Sequence, residues 1–165
     1  MAEKIICCTT TEISGNIAFG PGCVIHPGAT IIAEKGDIVF GAYNIIEERS
    51  VIVNKSGKTM NIGNYNHFQV GSSISSCEIG DLNEFLLKSK VESGAKIGNG
   101  CIIAAGVTLE RDSKLEDHTV VNGLNDRRIR SDMNVDATKS NMKCMVEVLA
   151  KQLAKYNQIR TIEQQ

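Results

Sequence analysis

The chain has 165 residues, which suits one domain with a short appendage. Eighteen Lys and Arg residues against 19 Asp and Glu residues give a formal net charge of -1, and this balance argues against a nucleic-acid-binding module. No apolar run is long enough to span a membrane, and the N-terminus lacks the basic-then-apolar order of a signal peptide, so we expect a cytoplasmic protein without a membrane-inserted segment.

Aliphatic side chains must fill the interior of this protein, because it has only four Phe, three Tyr and no Trp. Isoleucine is the commonest aliphatic residue, and its branched Cβ favours β-strands. No two cysteines have the C-x-x-C spacing, which argues against a zinc ribbon or a thioredoxin-like motif. We therefore expect reduced thiols, several of them buried.

Large apolar residues recur every six positions between Ile13 and Val121. A period of six matches neither the helical period of 3.6 nor the strand period of 2. It does fit a short strand followed by a corner, so that three units close one triangular coil. The insertions 34–37 and 55–58 interrupt the repeat as loops, and the coils are marked by a glycine that follows an anchor residue: Gly20, Gly41, Gly63, Gly80 and Gly98.

The repeat predicts three inward-facing rows of anchors, one on each side of a prism. They are Phe19, Phe40, Ile62, Ile79, Ile97 and Leu115; then Ile25, Ile46, Phe68, Phe85, Ile103 and Val121; then Ile13, Ile31, Ile52, Ile74, Val91 and Leu109. Asn44, Asn66 and Asn83 each stand four residues after an anchor of the first row, which predicts a ladder of amides that bonds to corner backbone groups. The fold class is therefore an all-β solenoid, a parallel β-helix of about six triangular coils with a C-terminal α-helix.

The period changes after Gly123. We divide the chain into a repeat domain at 1–123, a connector at 124–136, an amphipathic helix at 137–158 that packs on the β-helix, and a tail at 159–165. Asp136 or Thr138 is the expected helix cap. The expected apolar face of the helix consists of Met142, Met145, Leu149, Leu153 and Tyr156.

The three histidines are the candidate catalytic or metal-binding residues. Coils stack at about 4.8 Å, so His26 and His67 lie roughly 10 Å apart along the axis and His118 a further ~14 Å away. Zinc ligands must lie within about 2.1 Å of the ion, so these three cannot share one within a single chain. As a general base, His67 is the best of the three, because it follows the Asn66 corner.

The sequence thus predicts no catalytic, cofactor-binding or metal-binding residue, and it singles out no partner-binding residue. The open strand edges at the two ends of a prism favour an assembly component. The alternative is a hexapeptide-repeat enzyme, either similar to γ-carbonic anhydrases or an acyltransferase.

Three segments resemble the dynactin subunit 6 family: CVIHPGATIIAE at 23–34, GAYNIIEE at 41–48 and IGNYNHFQVG at 62–71. The resemblance runs from about Ile13 to Gly123, and residues 1–4 are also similar. The loop Asn54 to Thr59 and the tail after Tyr156 look shorter than in animal members. Functions of those segments, including phosphorylation of the tail, are not expected here.

This resemblance implies a left-handed β-helix and a non-catalytic subunit of the dynactin pointed-end complex. It implies pairing with dynactin subunit 5, beside dynactin subunit 4 and a pointed-end actin-related protein. It also implies a role in dynein-driven microtubule transport and cargo adaptation, with a cytoplasmic, cytoskeleton-associated location and no cofactor.

Overall fold

Short strands follow one another around a three-sided prism through residues 4–162, which are the residues that the computed structural model describes. Residues 1–3 of the expected repeat domain and 163–165 of the expected tail lie outside the described residues. The strands of the prism, in chain order, are β1 (Ile6–Cys8), β2 (Glu12–Ser14), β3 (Ile17–Phe19), β4 (Val24–Ile25), β5 (Thr30–Ala33), β6 (Ile38–Phe40), β7 (Ile45–Ile46), β8 (Val51–Asn54), β9 (Met60–Ile62), β10 (His67–Phe68), β11 (Ser73–Ser75), β12 (Glu78–Ile79), β13 (Glu84–Phe85), β14 (Lys90–Val91), β15 (Lys96–Ile97), β16 (Ile102–Ile103), β17 (Thr108–Leu109), β18 (Lys114–Leu115), β19 (Thr119–Gly123) and β20 (Asp126–Ile129). A helix, α1 (Val135–Tyr156), and a last strand, β21 (Ile159–Arg160), complete the order.

Every third strand joins the same sheet. Face A has the order β20-β19-β16-β13-β10-β7-β4-β1-β21, face B the order β17-β14-β11-β8-β5-β2, and face C the order β18-β15-β12-β9-β6-β3. All pairs among β1 to β19 are parallel and in register, so that Phe68 lies between Ile46 and Phe85. The parallel β-helix of six coils predicted from the repeat is confirmed.

The predicted anchors form the core. All 18 are buried except Ile13, which is partly buried and packs against the others. The aromatic anchors stack directly, with ring centroids 4.9 Å apart for Phe19 and Phe40 and 4.8 Å apart for Phe68 and Phe85. These spacings match the distance between hydrogen-bonded strands, because each coil lies one strand spacing above the last.

The buried asparagines form the predicted ladder. The Asn66 side-chain oxygen accepts a hydrogen bond from the backbone N–H of Asn83 at 2.9 Å, and its side-chain nitrogen donates to the carbonyl of Gly80 at 2.9 Å. Asn44 and Asn83 repeat both contacts one coil before and one coil after. The ladder therefore pairs buried corner groups that the strands leave unpaired.

A second ladder runs along the outside of the corner between faces C and A, and the sequence analysis missed it. The backbone N–H groups of Asn64, Asp81 and Asn99 each donate at 2.7 Å to a side-chain oxygen one coil further on. The accepting residues are Asp81, Asn99 and Asp117. Asn and Asp suit this position because a short polar side chain reaches the adjacent backbone.

Antiparallel strands flank face A at both ends of the prism, in segments that the sequence analysis read as a connector and a tail. β20 lies within 124–136 and pairs with β19, and β21 lies within 159–165 and pairs with β1. The strand β1 also precedes the first predicted anchor, Ile13. β20 and β21 carry no period of six, because neither is followed by a corner and another side of a coil. β1 belongs to the first coil, and its buried Cys7 stands six residues before Ile13, but a cysteine does not count as a large apolar anchor.

The helix begins and ends two residues earlier than predicted. Its cap is Asn134, whose side-chain oxygen accepts the N–H of Ala137 at 3.0 Å, in place of the expected Asp136 or Thr138. Asn is among the strongest N-cap residues because its short side chain reaches back to the first turn.

The helix packs on face A against Val24 and Ile45 through Met142, Val146 and Leu153. The expected apolar face was wrong for Met145 and Tyr156, which are 38% and 74% exposed.

Two lysines of the helix lie over tyrosine rings of the prism. Lys143 lies 5.1 Å from the ring centroid of Tyr43, and Lys139 lies 5.9 Å from that of Tyr65. The two tyrosine rings are themselves stacked at 5.0 Å on the corner between faces C and A. Burial of Met142, Val146 and Leu153 decides which face of the helix meets the prism and leaves Met145 on the exposed side, while the lysine contacts add a weaker cation–π attraction.

We expect Ile103→Asp to lower the free energy of unfolding by about 3–5 kcal/mol, because it places an unpaired carboxylate in the middle of a stack. Urea denaturation would measure the loss. The exposed Lys114→Ala should change stability by less than about 0.5 kcal/mol. Wild-type-like unfolding of Ile103→Asp would contradict the assignment of the inner face.

Asn66→Ala should cost about 1–3 kcal/mol, because it leaves the backbone N–H of Asn83 buried without an acceptor. The matched control is Asn61→Ala on the outer side of face C, where the side chain is exposed. Equal unfolding midpoints for the two variants would show that the ladder does not stabilise the corner.

Candidate functional site

His26 follows β4 on the outer side of face A and is 6% exposed. Its Nδ1 lies 2.9 Å from Oε1 of Glu48, and because a carboxylate only accepts, the imidazole donates this bond. Its Nε2 is buried and has no hydrogen-bond partner among the described residues. The ring is therefore held by the chain's own carboxylate and is shielded from solvent.

His67 lies in β10 and is 9% exposed. Its Nε2 donates to Oε1 of Glu47 at 2.6 Å, while Oε2 of Glu47 accepts the backbone N–H of Val70 at 3.1 Å. The hydrogen bond from His67 is the main cause that holds the pKa of Glu47 below its ordinary value of 4.5, against the opposing effect of burial. His67, the best general-base candidate from the sequence, is thus occupied by a neighbouring side chain.

His118 stands at the corner between faces C and A with a φ of 64°, directly before β19. Its surroundings differ from those of His26, which bonds to Glu48, and of His67, which bonds to Glu47. Among residues 4–162, no three His, Cys, Asp or Glu side chains lie close enough together to hold a metal ion.

The cysteines offer no activated nucleophile in the interior. All six are free thiols, and each is buried except Cys144. Burial raises the pKa of Cys23 to about 11 and that of Cys77 to about 12. Both therefore stay protonated at neutral pH, whereas the reactive form of cysteine is the thiolate.

Two shallow depressions on face C lie near charged side chains. One has a volume of about 750 Å³ and is lined by Glu78, Lys96, Lys114 and Glu116, without a histidine. A second, of about 310 Å³, lies beside the loop at Ser56 and also has no histidine in its lining. Neither one brings a histidine to a sheltered cleft, and the glutamates that line them stand on an open surface.

Two surfaces expose large apolar side chains. The outer flank of α1 carries Met145, Val148 and Tyr156, and the C-terminal end of the prism carries Leu124 and Ile129 at 67% and 63% exposure. Met145 and Tyr156 were expected on the buried face of the helix, whereas Val148, Leu124 and Ile129 were not singled out, because exposure of an isolated apolar side chain leaves no periodic signal. No helix in the described part of the chain has the length and apolar character needed to cross a bilayer.

Comparison with curated proteins identifies relatives over most of the chain. Dynactin subunit 6 of Nematostella vectensis is 33% identical over 142 residues, which cover 79% of this chain and 77% of the relative. Dynactin subunit 6 of Xenopus tropicalis is 34% identical over 134 residues, or 74% of this chain and 67% of the relative. Dynactin subunit 6 of Danio rerio is 32% identical, covering 74% and 69%. No protein-family profile matches the chain.

Solved structures share the fold at low sequence identity. A hexapeptide transferase family protein from Anaplasma phagocytophilum is 16% identical with a TM-score of 0.55, and the match covers 92% of each chain. A putative acetyltransferase from Bacillus cereus is 13% identical with a TM-score of 0.52, covering 93% of this chain and 92% of that one. The left-handed β-helix predicted from the family resemblance is confirmed.

We expect Glu47→Gln to be less stable than the wild type at pH 7 and to approach it as the pH falls. The folded pKa of Glu47 lies below 4.5, so its stabilising contribution is present above pH 4.5 and is lost as the pH falls through the folded pKa. Thermal melts between pH 7 and pH 3 would measure the gap between the two proteins. For the exposed Glu110→Gln the gap should stay constant, and a constant gap for Glu47→Gln would count against the His67 contact.

Proposed function

The chain belongs to the dynactin subunit 6 family, and we propose that it is a non-catalytic structural subunit of the pointed-end part of dynactin. The observation that carries the proposal is the identity of 33% with a dynactin subunit 6 over 142 residues. That match covers 79% of this chain and 77% of the relative.

The geometry of the histidines supports a structural role. A general base must reach the proton that it removes, either directly or through one water molecule. His67 and His26 instead bond to Glu47 and Glu48 of the same chain and are at most 9% exposed. We assign no catalytic, cofactor-binding or metal-binding residue.

Within dynactin, we propose that the chain pairs with dynactin subunit 5, beside dynactin subunit 4 and the pointed-end actin-related protein. In that position it supports dynein-driven transport along microtubules and the adaptation of that transport to cargo. Its location is then cytoplasmic and associated with the cytoskeleton. The rigid stack of coils suits a spacer, since every coil is fixed by the coils on both sides.

A hexapeptide-repeat acyltransferase is the second candidate, because the unpartnered Nε2 of His26 is a feature that a general base would show. Its burial argues against this role, since no acceptor substrate reaches a ring that is 6% exposed. The fold itself does not decide between the two candidates, because one architecture hosts unrelated functions.

Co-expression with dynactin subunit 5 from the same organism, followed by size-exclusion chromatography with light scattering, tests the proposal. We expect a stable complex of defined stoichiometry. A chain that forms a homotrimer and binds no pointed-end subunit would contradict it.

Metal analysis and an acetyl-CoA turnover assay on the same purified protein test the enzyme candidate. We expect less than one zinc ion per chain. We also expect no turnover above that of a control that carries both His26→Ala and His67→Ala. Stoichiometric zinc, or turnover that the control lacks, would favour the enzyme.

A further inference from the structure

The corner between faces C and A carries one column of residues, with one residue from each coil. Tyr43 and Tyr65 stand two residues before Ile45 and His67, which pair with each other across adjacent coils. Gly22 holds the same place one coil earlier. Its φ is 72° and that of each tyrosine is 57°, so the three residues occupy equivalent positions at the corner.

The aromatic rings of this column stack on each other, and the stack ends at Gly22. The ring centroids of Tyr43 and Tyr65 lie 5.0 Å apart, and the ring planes differ by 2°. Gly22 has no side chain, and the next residue of the column is Lys4, which stands two residues before Ile6 of β1. The level of Tyr43 and the level of Lys4 are therefore two coil spacings apart, or roughly 10 Å, and the column supplies no side chain between them.

A cavity of about 300 Å³ lies at this gap, between the corner and α1, and we call it the ring slot. Lys4, Gly22 and Tyr43 line it along the column. Its apolar walls are Ile6 of β1 and Val146 and Ala150 of α1. A cavity of this volume is at the small end of binding pockets, so it suits a single side chain rather than a large ligand.

The charged residues of the ring slot favour an occupant with acidic neighbours. Lys4, Lys143 and Glu147 belong to its lining and are exposed. None of the three forms an ion pair with a residue in 4–162. Because the cations outnumber the anion, a carboxylate beside the occupant would meet a cation that has no ion pair.

An aromatic ring fits the ring slot better than an aliphatic side chain. A ring at the level of Gly22 would continue the stack of Tyr43 and Tyr65, and stacked rings attract each other beyond the effect of apolar burial. The ring would also lie near two lysines, which adds cation–π attraction. Glu147 offers an acceptor for the hydroxyl of a tyrosine or the N–H of a tryptophan.

This chain is a poor source of the ring. Residues 1–3 and 163–165 contain no aromatic residue, and in the described part of the chain only Tyr156 is an exposed one, at 74%. Lys155 lies 5.2 Å from the ring centroid of Tyr156. A second copy that inserted this ring would bring Lys155 toward Lys4 and Lys143, and the repulsion between like charges opposes that contact.

We propose that the ring slot binds a tyrosine or tryptophan side chain of a different protein, in a segment where acidic residues flank the aromatic one. The ring stacks on Tyr43 at the level of Gly22 and donates a hydrogen bond to Glu147. The flanking carboxylates pair with Lys4 and Lys143. The proposal goes beyond the proposed function and does not depend on it, because this chain alone forms the slot.

Titration of the isotope-labelled full chain with capped tripeptides, followed by NMR of its backbone amides, tests the proposal. The probe is acetyl-Glu-Tyr-Glu-amide, and we expect saturable shifts at Gly22, Tyr43 and Val146. Leucine in place of the probe's tyrosine should weaken binding roughly fivefold, because the stacking is lost. Lysines in place of its two glutamates should weaken binding by about as much at low salt, because they face Lys4 and Lys143.

Ala150→Met and Ala154→Met are the first matched pair of variants. Both positions lie on α1, and methionine is a good helix former, so both variants should fold like the wild type. The longer side chain at position 150 fills the ring slot and should weaken binding of the tyrosine probe roughly tenfold. Position 154 is exposed and outside the lining, so that variant should bind within about twofold of the wild type.

Tyr43→Leu and Tyr65→Leu are the second pair, because both rings belong to the stack but only Tyr43 lines the ring slot. Tyr43→Leu should bind the tyrosine probe roughly fivefold more weakly and leave the affinity for the leucine probe unchanged. Loss of structure would instead weaken both probes. Tyr65→Leu should keep the preference for the tyrosine probe.

Three results would overturn the proposal. The first is equal affinity for the tyrosine and leucine probes, and the second is wild-type affinity of Ala150→Met. The third is a homodimer of the free chain, seen by light scattering, that Tyr156→Ala abolishes while the ring slot amides shift on dilution. That result would assign the slot to a second copy of this chain.

Discussion

The alignment of each coil with the coil before it is the constraint on which the rest of this molecule depends. Each coil must place three apolar side chains over those of the coil before it, because the strands are two to five residues long and none is stable alone. Extra residues are tolerated only where they also stack. The two insertions lie at one corner in successive coils, where Lys55 of the second pairs with Glu34 of the first at 3.3 Å and Asn54 bonds to the carbonyl of Lys58.

The same constraint explains how much of the fold could be predicted from the sequence. Burial inside a prism imposes a strict period, so an anchor such as Phe85 or Ile103 is recognisable from its spacing alone, before any pairing is known. The buried asparagines were predictable for the same reason, since they keep a fixed offset from the anchors. The outer ladder escaped notice because it alternates Asn64 and Asp81, which differ in charge but offer the same acceptor oxygen.

Elements outside the repeat could not be predicted, because their strand partners are far away in the sequence or their side chains are exposed to solvent. β21 pairs with β1 across most of the chain length, and no local pattern in two residues indicates such a partner. β20 reads as a polar connector because all four of its residues are exposed. The helix was found, but which of its apolar residues are buried depends on the packing of Met142, Val146 and Leu153 against face A. Prediction of the candidate site was limited in the same way. The spacing in the sequence placed the histidines on different coils, but it could not show that Glu47 and Glu48 bond to two of them.

The two ends of the prism differ in a way that bears on assembly. At the N-terminal end the chain's own last residues add a strand to face A, bond to the carbonyls of Thr9 and Thr11, and bring Ile162 onto the core. At the other end β20 adds a strand to face A in the same way, and the edges of faces B and C are open at both ends, at β2 and β3 and at β17 and β18. A solenoid whose two ends are complementary can stack head to tail without limit and form fibres. Here a neighbouring coil at the N-terminal end would have to displace the contacts of Arg160 and Ile162, so the crossing segment makes the two ends unlike and works against such stacking.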